Sequence, residues 1–265
     1  MARLTKSLIK KYNSYLYIPE PVDYYSCSKK TVEYTSDGGE LAAAIVTAYK
    51  NRDVIVIIDC GHGRSTAGKK SPWSMHGVRP EIPFEEWKWN RECGKLLGQK
   101  LEEMGITVKY TVDPDDDTDV RLTTRYQIAN KIKQQNPGKH CILISVHANA
   151  AGSGREWMNA RGWCAYTTKG QNNSDKLADC IYDAAEAVLP LDDIKIRYDK
   201  TDGDKDYESN FTIIYGSNMP AVLVENLFYD NVDDCEFLNS DYGKDILSTV
   251  MAQGIFDFIT KVWKL

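Results

Sequence analysis

No stretch of this 265-residue sequence is apolar for long enough to cross a bilayer, so no membrane insertion is expected. There is no basic excess either. Lys and Arg number 33 against 38 Asp and Glu, a net charge of −5, which argues against a general nucleic-acid binder. The seven cysteines, at 27, 60, 93, 141, 164, 180 and 235, include no C-x-x-C pair. An odd, unpatterned set reads as reduced, mostly buried thiols in a chain made in a cytosol. The basic start, MARLTKSLIKKYNSYLYIPEP, has neither a long apolar run nor a small-residue cleavage site, so no signal peptide is expected. Internal repeats and low-complexity tracts are missing too. Histidine is scarce, with four in the chain, which makes the position of each one informative.

What is present suits a packed α/β domain. Hydrophobic residues make up 42%, with six Trp and sixteen Tyr, enough for one sizeable core. Residues 1–52 read as an aromatic-rich lead-in packed on the main domain, with helix-forming composition over 39–52. Residues 53–265 read as that domain. VIVIID at 54–59 is a continuous β-branched run, hence a strand buried on both faces. In PFEEWKWNRECGKLLGQKLEEMGI, the apolar residues Trp89, Cys93, Leu97 and Leu101 recur every fourth position, the pattern of an amphipathic helix. Strand and helix then alternate: TVKYTV, RLTTRYQIANKIKQQN, CILISVH, GWCAYTT, SDKLADCIYDAAEAVL, AVLVENLF and a closing helix from YGKDILSTVMAQ onward. That order predicts a single layered domain with a mostly parallel twisted sheet flanked by helices. A polar loop spans 191–210; its DGDKD lacks the Gly and Glu placement of an EF-hand and reads as solvated.

Two histidines fall where such sheets bind ligands, outside the carboxyl ends of the strands. His62 follows the first strand in GHG, and His147 ends CILISVH ahead of ANAAGSG. Each alone would pass as an ordinary loop histidine. Together, among small residues that leave room, they can meet on one metal. His76 and His140 lack that setting and are assigned surface or packing roles. A catalytic zinc site usually has three protein ligands, so a third is needed. Glu85 and Glu86 both open the helix after the first strand, although Glu in a first turn is also favoured by the helix dipole alone. Cys60 ranks low, because residues two apart in a strand point alike and a sharp turn would be required. Glu225 lies inside an apolar run, where a carboxylate must be paired, with Arg125 for example, or put to use as a proton carrier.

These segments, in this order, resemble the zinc-dependent N-acetylmuramoyl-L-alanine amidases of the amidase-3 type, and the phage endolysins among them. DCGHG matches the family's D-P-G-H-G, EWKWN its E-x-x-x-N, RYQIAN and SVHANA its R-x-x-x-A-N and S-x-H-x-N, and PAVLVENLFYDN its closing P-A-x-L-V-E. The match covers about residues 54–262, and Cys60 stands where proline is usual. The resemblance implies zinc held by His62, Glu86 and His147, with Glu225 as the catalytic acid/base. It selects Glu86 over Glu85, because Glu86 stands four residues before Asn90. Asn90, Arg125, Asn130 and Asn149 match positions that support the site. The implied substrate is peptidoglycan, cut between N-acetylmuramic acid and L-alanine, making 53–265 the catalytic domain. The implied place of action is the cell wall, reached from the cytoplasm after holin-type release. The competing expectations are a zinc peptidase or deacetylase acting on another wall amide, and a non-catalytic wall-binding module. The oligomeric state is not legible.

Overall fold

The computed structural model describes residues 53–73, 83–201 and 203–265. The expected lead-in over 1–52 and His76 lie outside the described residues. The chain begins with β1 (Val54–Cys60), buried at every position. It continues through α1 (Glu86–Glu103), β2 (Thr107–Tyr110), α2 (Leu122–Gln135) and β3 (His140–Asn149). Next come β4 (Cys164–Thr167), α3 (Asn173–Val188), β5 (Tyr207–Glu208) and α4 (Thr212–Tyr215). It closes with β6 (Ala221–Phe228), α5 (Val232–Asn239) and α6 (Asp241–Asp257), which runs into a π-helical turn at Phe258–Val262.

The six strands form one sheet in the order β2-β1-β3-β6-β4-β5. Every pairing is parallel except β4 with β6. Alternating side chains divide the core in two, as the pleat requires. Val54, Val56 and Ile58 of β1 meet Cys93, Leu97 and Leu101 of α1 in one cluster, which α3 and α6 complete. Ile55, Ile57 and Leu143 face Ala129 of α2 and Ile213 and Ile214 of α4 in the other. The apolar stripe expected on α1 is therefore the one it buries. At about 1.5–3 kcal/mol for a fully buried Leu, Leu97 and Leu101 help hold Glu86 and Arg91 of the same helix in costly buried positions.

The expected mostly parallel sheet is found, and three local details go beyond it. GWCAYTT forms a strand, but it runs antiparallel to its neighbour β6. The polar stretch 191–210 contains β5, and α4 and α5 form where no helix was expected. Between His147 and Asn149 of β3 the partner strand advances from Glu225 to Phe228, one residue more, which is a β-bulge. Leu227 absorbs it with a left-handed φ of 66°.

Candidate metal centre

The parallel register places His147 beside Glu225 at the carboxyl ends of β3 and β6, so both side chains leave the sheet on one side. His62 follows β1 in a turn where its own φ is 61°, a left-handed conformation that costs a non-glycine residue energy. The glycine before it is required by close approach. A Cβ on Gly61 would stand 2.1 Å from the His147 ring. Two guanidiniums hold this turn by its carbonyls. Arg91 of α1 donates to the carbonyls of Cys60 and His62 at 2.5 and 3.1 Å. Arg125 of α2 donates to the same two at 2.6 and 2.8 Å.

Glu86 enters as the first residue of α1. Its N–H donates to the carbonyl of Lys69 at 3.0 Å, which pins the helix start to the loop after His62. Glu85 is exposed and Glu86 is buried, so the structure brings only Glu86 to the histidines. Its Oε1 lies 3.3 Å from His62 Nε2 and 3.0 Å from His147 Nδ1. The two imidazoles stand edge to face, 4.9 Å apart. One ligand atom from each of the three residues falls within 4.8 Å of the others. Two imidazole nitrogens and one carboxylate oxygen are a donor set suited to zinc. Glu86 Oε2 is buried without a hydrogen bond among the described residues, and Lys69 Nζ lies 3.6 Å from it.

Electrostatics follow this geometry. Burial pulls the His62 imidazole below its usual range, with Glu86 opposing. Burial works in the same direction on His147, but its hydrogen bond to Glu86 and the charges of Glu86 and Glu225 raise it overall. Burial would raise Glu86, yet its bonds to both imidazoles hold it well below the carboxylate range. Glu225 goes the other way. Burial pushes it up to about 7; His147 and Lys69 pull it down and Glu86 pushes it further up.

The other sequence candidates find definite places. Cys60 stays out of the cluster: its Sγ lies where a Cβ on Gly94 would sit, and burial pushes the thiol up to about 12. Arg125 is no partner of Glu225. It faces the buried Asp59 at 3.4 Å, and Asp59 also accepts the hydroxyls of Thr111 and Ser145. Asn90 donates to the carbonyl of Gly61 at 3.1 Å, and Asn130 to that of Gly216 at 2.8 Å. Asn149 Oδ1 accepts from the Ala150 N–H, and its carbonyl from that of Tyr229. His140 packs against Trp263. Sequence reading missed Arg91, whose only signal was a charge beside the apolar stripe of α1. It also missed Asn226, which donates to the carbonyl of His147 at 3.1 Å.

Residues 56–257 match the Amidase_3 family, described as N-acetylmuramoyl-L-alanine amidase. The chain belongs to that family. The resemblance of the four sequence motifs to the amidase-3 type is thereby borne out. The chain is 25% identical over 205 residues to an endolysin of Bacillus phage SPP1, covering 77% of this chain and 66% of the relative. It is 29% identical over 188 residues to the N-acetylmuramoyl-L-alanine amidase CwlM of Bacillus licheniformis, covering 71% and 61%. The chain thus spans just under two thirds of the length of these curated relatives. A solved N-acetylmuramoyl-L-alanine amidase from Clostridium difficile 630 shares the fold at a TM-score of 0.62 and 25% identity, covering 78% of this chain and 96% of that one. No helix among the described residues is long and apolar enough to cross a membrane.

Proposed function

We propose that this amidase-family chain hydrolyses the amide between the lactyl group of N-acetylmuramic acid and L-alanine in peptidoglycan, with zinc held by His62, Glu86 and His147. The observation that carries the reading is the meeting of these three side chains, from separate segments, beside the buried Glu225. A zinc ion held there would polarise the amide carbonyl and lower the pKa of a water toward about 7. The remaining chemistry belongs to Glu225. With one carboxylate oxygen buried and without a hydrogen bond among the described residues, and a pKa pushed up to about 7, it can exist in either protonation state near neutrality. It accepts a proton from the attacking water and returns it to the departing alanine nitrogen. Arg91, Arg125 and Asn90 hold the turn that presents His62, so the ligand geometry depends little on solvent-exposed contacts.

Residues 53–265 are the proposed catalytic domain. The wall is the proposed place of action, and the likeness to a phage endolysin supports holin-type release. Zinc quantification together with mass analysis of digested peptidoglycan tests the reading. About one zinc per chain is expected, and new L-alanine amino termini should appear without new reducing sugar ends. New reducing ends alone would assign a glycosidase. Cuts inside the stem peptide, with the lactyl–alanine bond intact, would assign a peptidase.

A further inference from the structure

A second group of acids gathers toward the other end of the strands. Asp175 lies in the first turn of α3, and Asp204 and Asp206 come from the DGDKD stretch leading into β5. One carboxylate oxygen from each falls within 4.8 Å of the others. Because β4 runs against β6, with Cys164 opposite Glu225 and Tyr166 opposite Leu223, the adjoining Thr167 lies toward the amino end of β6. The acids bonded to it are therefore at the opposite edge from the histidines.

Gly203 is exposed and Asp204 and Lys205 are half-buried, as a polar loop suggests, but Asp206 is not solvated. Asp206 is 1% exposed and Asp175 is 3% exposed. The Thr167 hydroxyl lies 2.9 Å from Asp175 Oδ1 and 2.7 Å from Asp206 Oδ2. It carries one proton and cannot donate to both. The Asp206 carboxylate shares that hydroxyl with Asp175, and its Oδ1 is buried with no hydrogen-bond partner among the described residues. An acceptor left so is costly unless something positive meets it. Among the described residues, the lysine next in sequence to Asp206 does not supply that charge to its Oδ1. Lys205 turns away to Asp183 and Glu186 at 2.6 and 3.1 Å. Asp204 Oδ2 accepts from Gln171.

We infer that Asp175, Asp204 and Asp206, with the Thr167 hydroxyl, form a second cation site, all oxygen, of the kind that takes calcium. Carboxylates and a hydroxyl are hard donors, and calcium tolerates irregular oxygen cages where magnesium requires near-ideal geometry and retains waters. Imidazole is absent from this group, so its chemistry differs from that of the first centre. Asp204 also borders an open cleft with Asp179 and Lys205, which gives an ion a way in. In agreement, burial pushes Asp206 up to about 7; the Thr167 hydroxyl opposes, and the charges of Asp204 and Asp175 add to the rise. A bound ion would fasten the segment before β5 to the start of α3, where Asp175 and Asn172 already cap each other.

The test uses the zinc-loaded full chain, dialysed free of calcium and titrated with calcium chloride in a calorimeter, with thermal unfolding measured alongside. Saturable binding of about one calcium per chain is expected, with a rise in Tm of at least about 3 °C at saturation. Asp206→Asn should abolish both responses while leaving zinc content and amide hydrolysis unchanged. Should that variant fail to fold, Asp204→Asn, at a partly exposed position, takes its place with the same expectation. No heat and no shift with the parent chain would overturn the site and leave Asp206 as a protonated acid. A calcium response undiminished in the variant would overturn these ligands. A response to magnesium as strong as that to calcium would overturn the choice of ion.

Discussion

Two carboxyl groups in this fold, Glu225 and Asp206, are both pushed up to about 7, with burial the leading cause in each. Their surroundings differ. Glu225 stands beside His147 and near Glu86 and Lys69, among groups of both signs. The rise of Asp206 is opposed by the Thr167 hydroxyl and a backbone N–H, and two other carboxylates push it further. A raised carboxyl therefore takes its meaning from its neighbours. Among groups of both signs it can take up and return a proton during turnover. Among carboxylates it calls for a proton or a cation that stays. The long parallel strands β1, β3 and β6 carry the first arrangement, and the short strands β4 and β5 carry the second.

Substitutions can separate the two edges. His147→Ala should have the largest effect, losing bound zinc and peptidoglycan hydrolysis together while calcium binding persists. Retained zinc would break the assignment of the first centre. Glu225→Gln should keep fold and zinc content and lower hydrolysis by at least about 10²-fold, the lower end for a positioned acid/base. Turnover near that of the parent would remove Glu225 from proton transfer. Arg125→Met leaves Asp59 buried without its cation and should lower unfolding stability by about 3–5 kcal/mol, measured by urea titration. A much smaller loss would mean that Thr111 and Ser145 satisfy Asp59 alone. Thr167→Val should cost least, about 1–3 kcal/mol in calcium-free buffer, with hydrolysis unchanged. A loss of hydrolysis there would show that the two edges are coupled.

The elements legible in the sequence were those long enough to show a period. β1, β3, β6 and the stripe of α1 could be read because burial on both faces, or on one helical face, repeats over many residues. β5 has two residues and α4 has four, too few for any period to show. α5 did carry a signal: Asn231 accepts the N–H of Asp234 as its cap, with acids in the first turn. At the candidate metal centre, His62, Glu86, His147 and Glu225 stand in motifs that a sequence displays, but Arg91 does not. Its partners are carbonyls of Cys60, His62, Asp116 and Thr118, and a backbone oxygen has no letter in a sequence. Asp206 was misread because a charged, glycine-bearing stretch ordinarily faces water, and nothing local announces that Thr167 and α3 will cover it.

The turn at His62 sets an order of events for the folding chain. Its backbone is strained, and it is held by guanidiniums from α1 and α2, while Glu86 and His147 arrive from a helix and a strand remote in sequence. No short segment can assemble the three ligands before both helices have docked on β1. Zinc capture would then come late, after the sheet and its flanking helices are in place. With zinc as the proposed metal, a newly made chain that binds it would have passed its own structural inspection, and uptake over time would report the arrival of the native state.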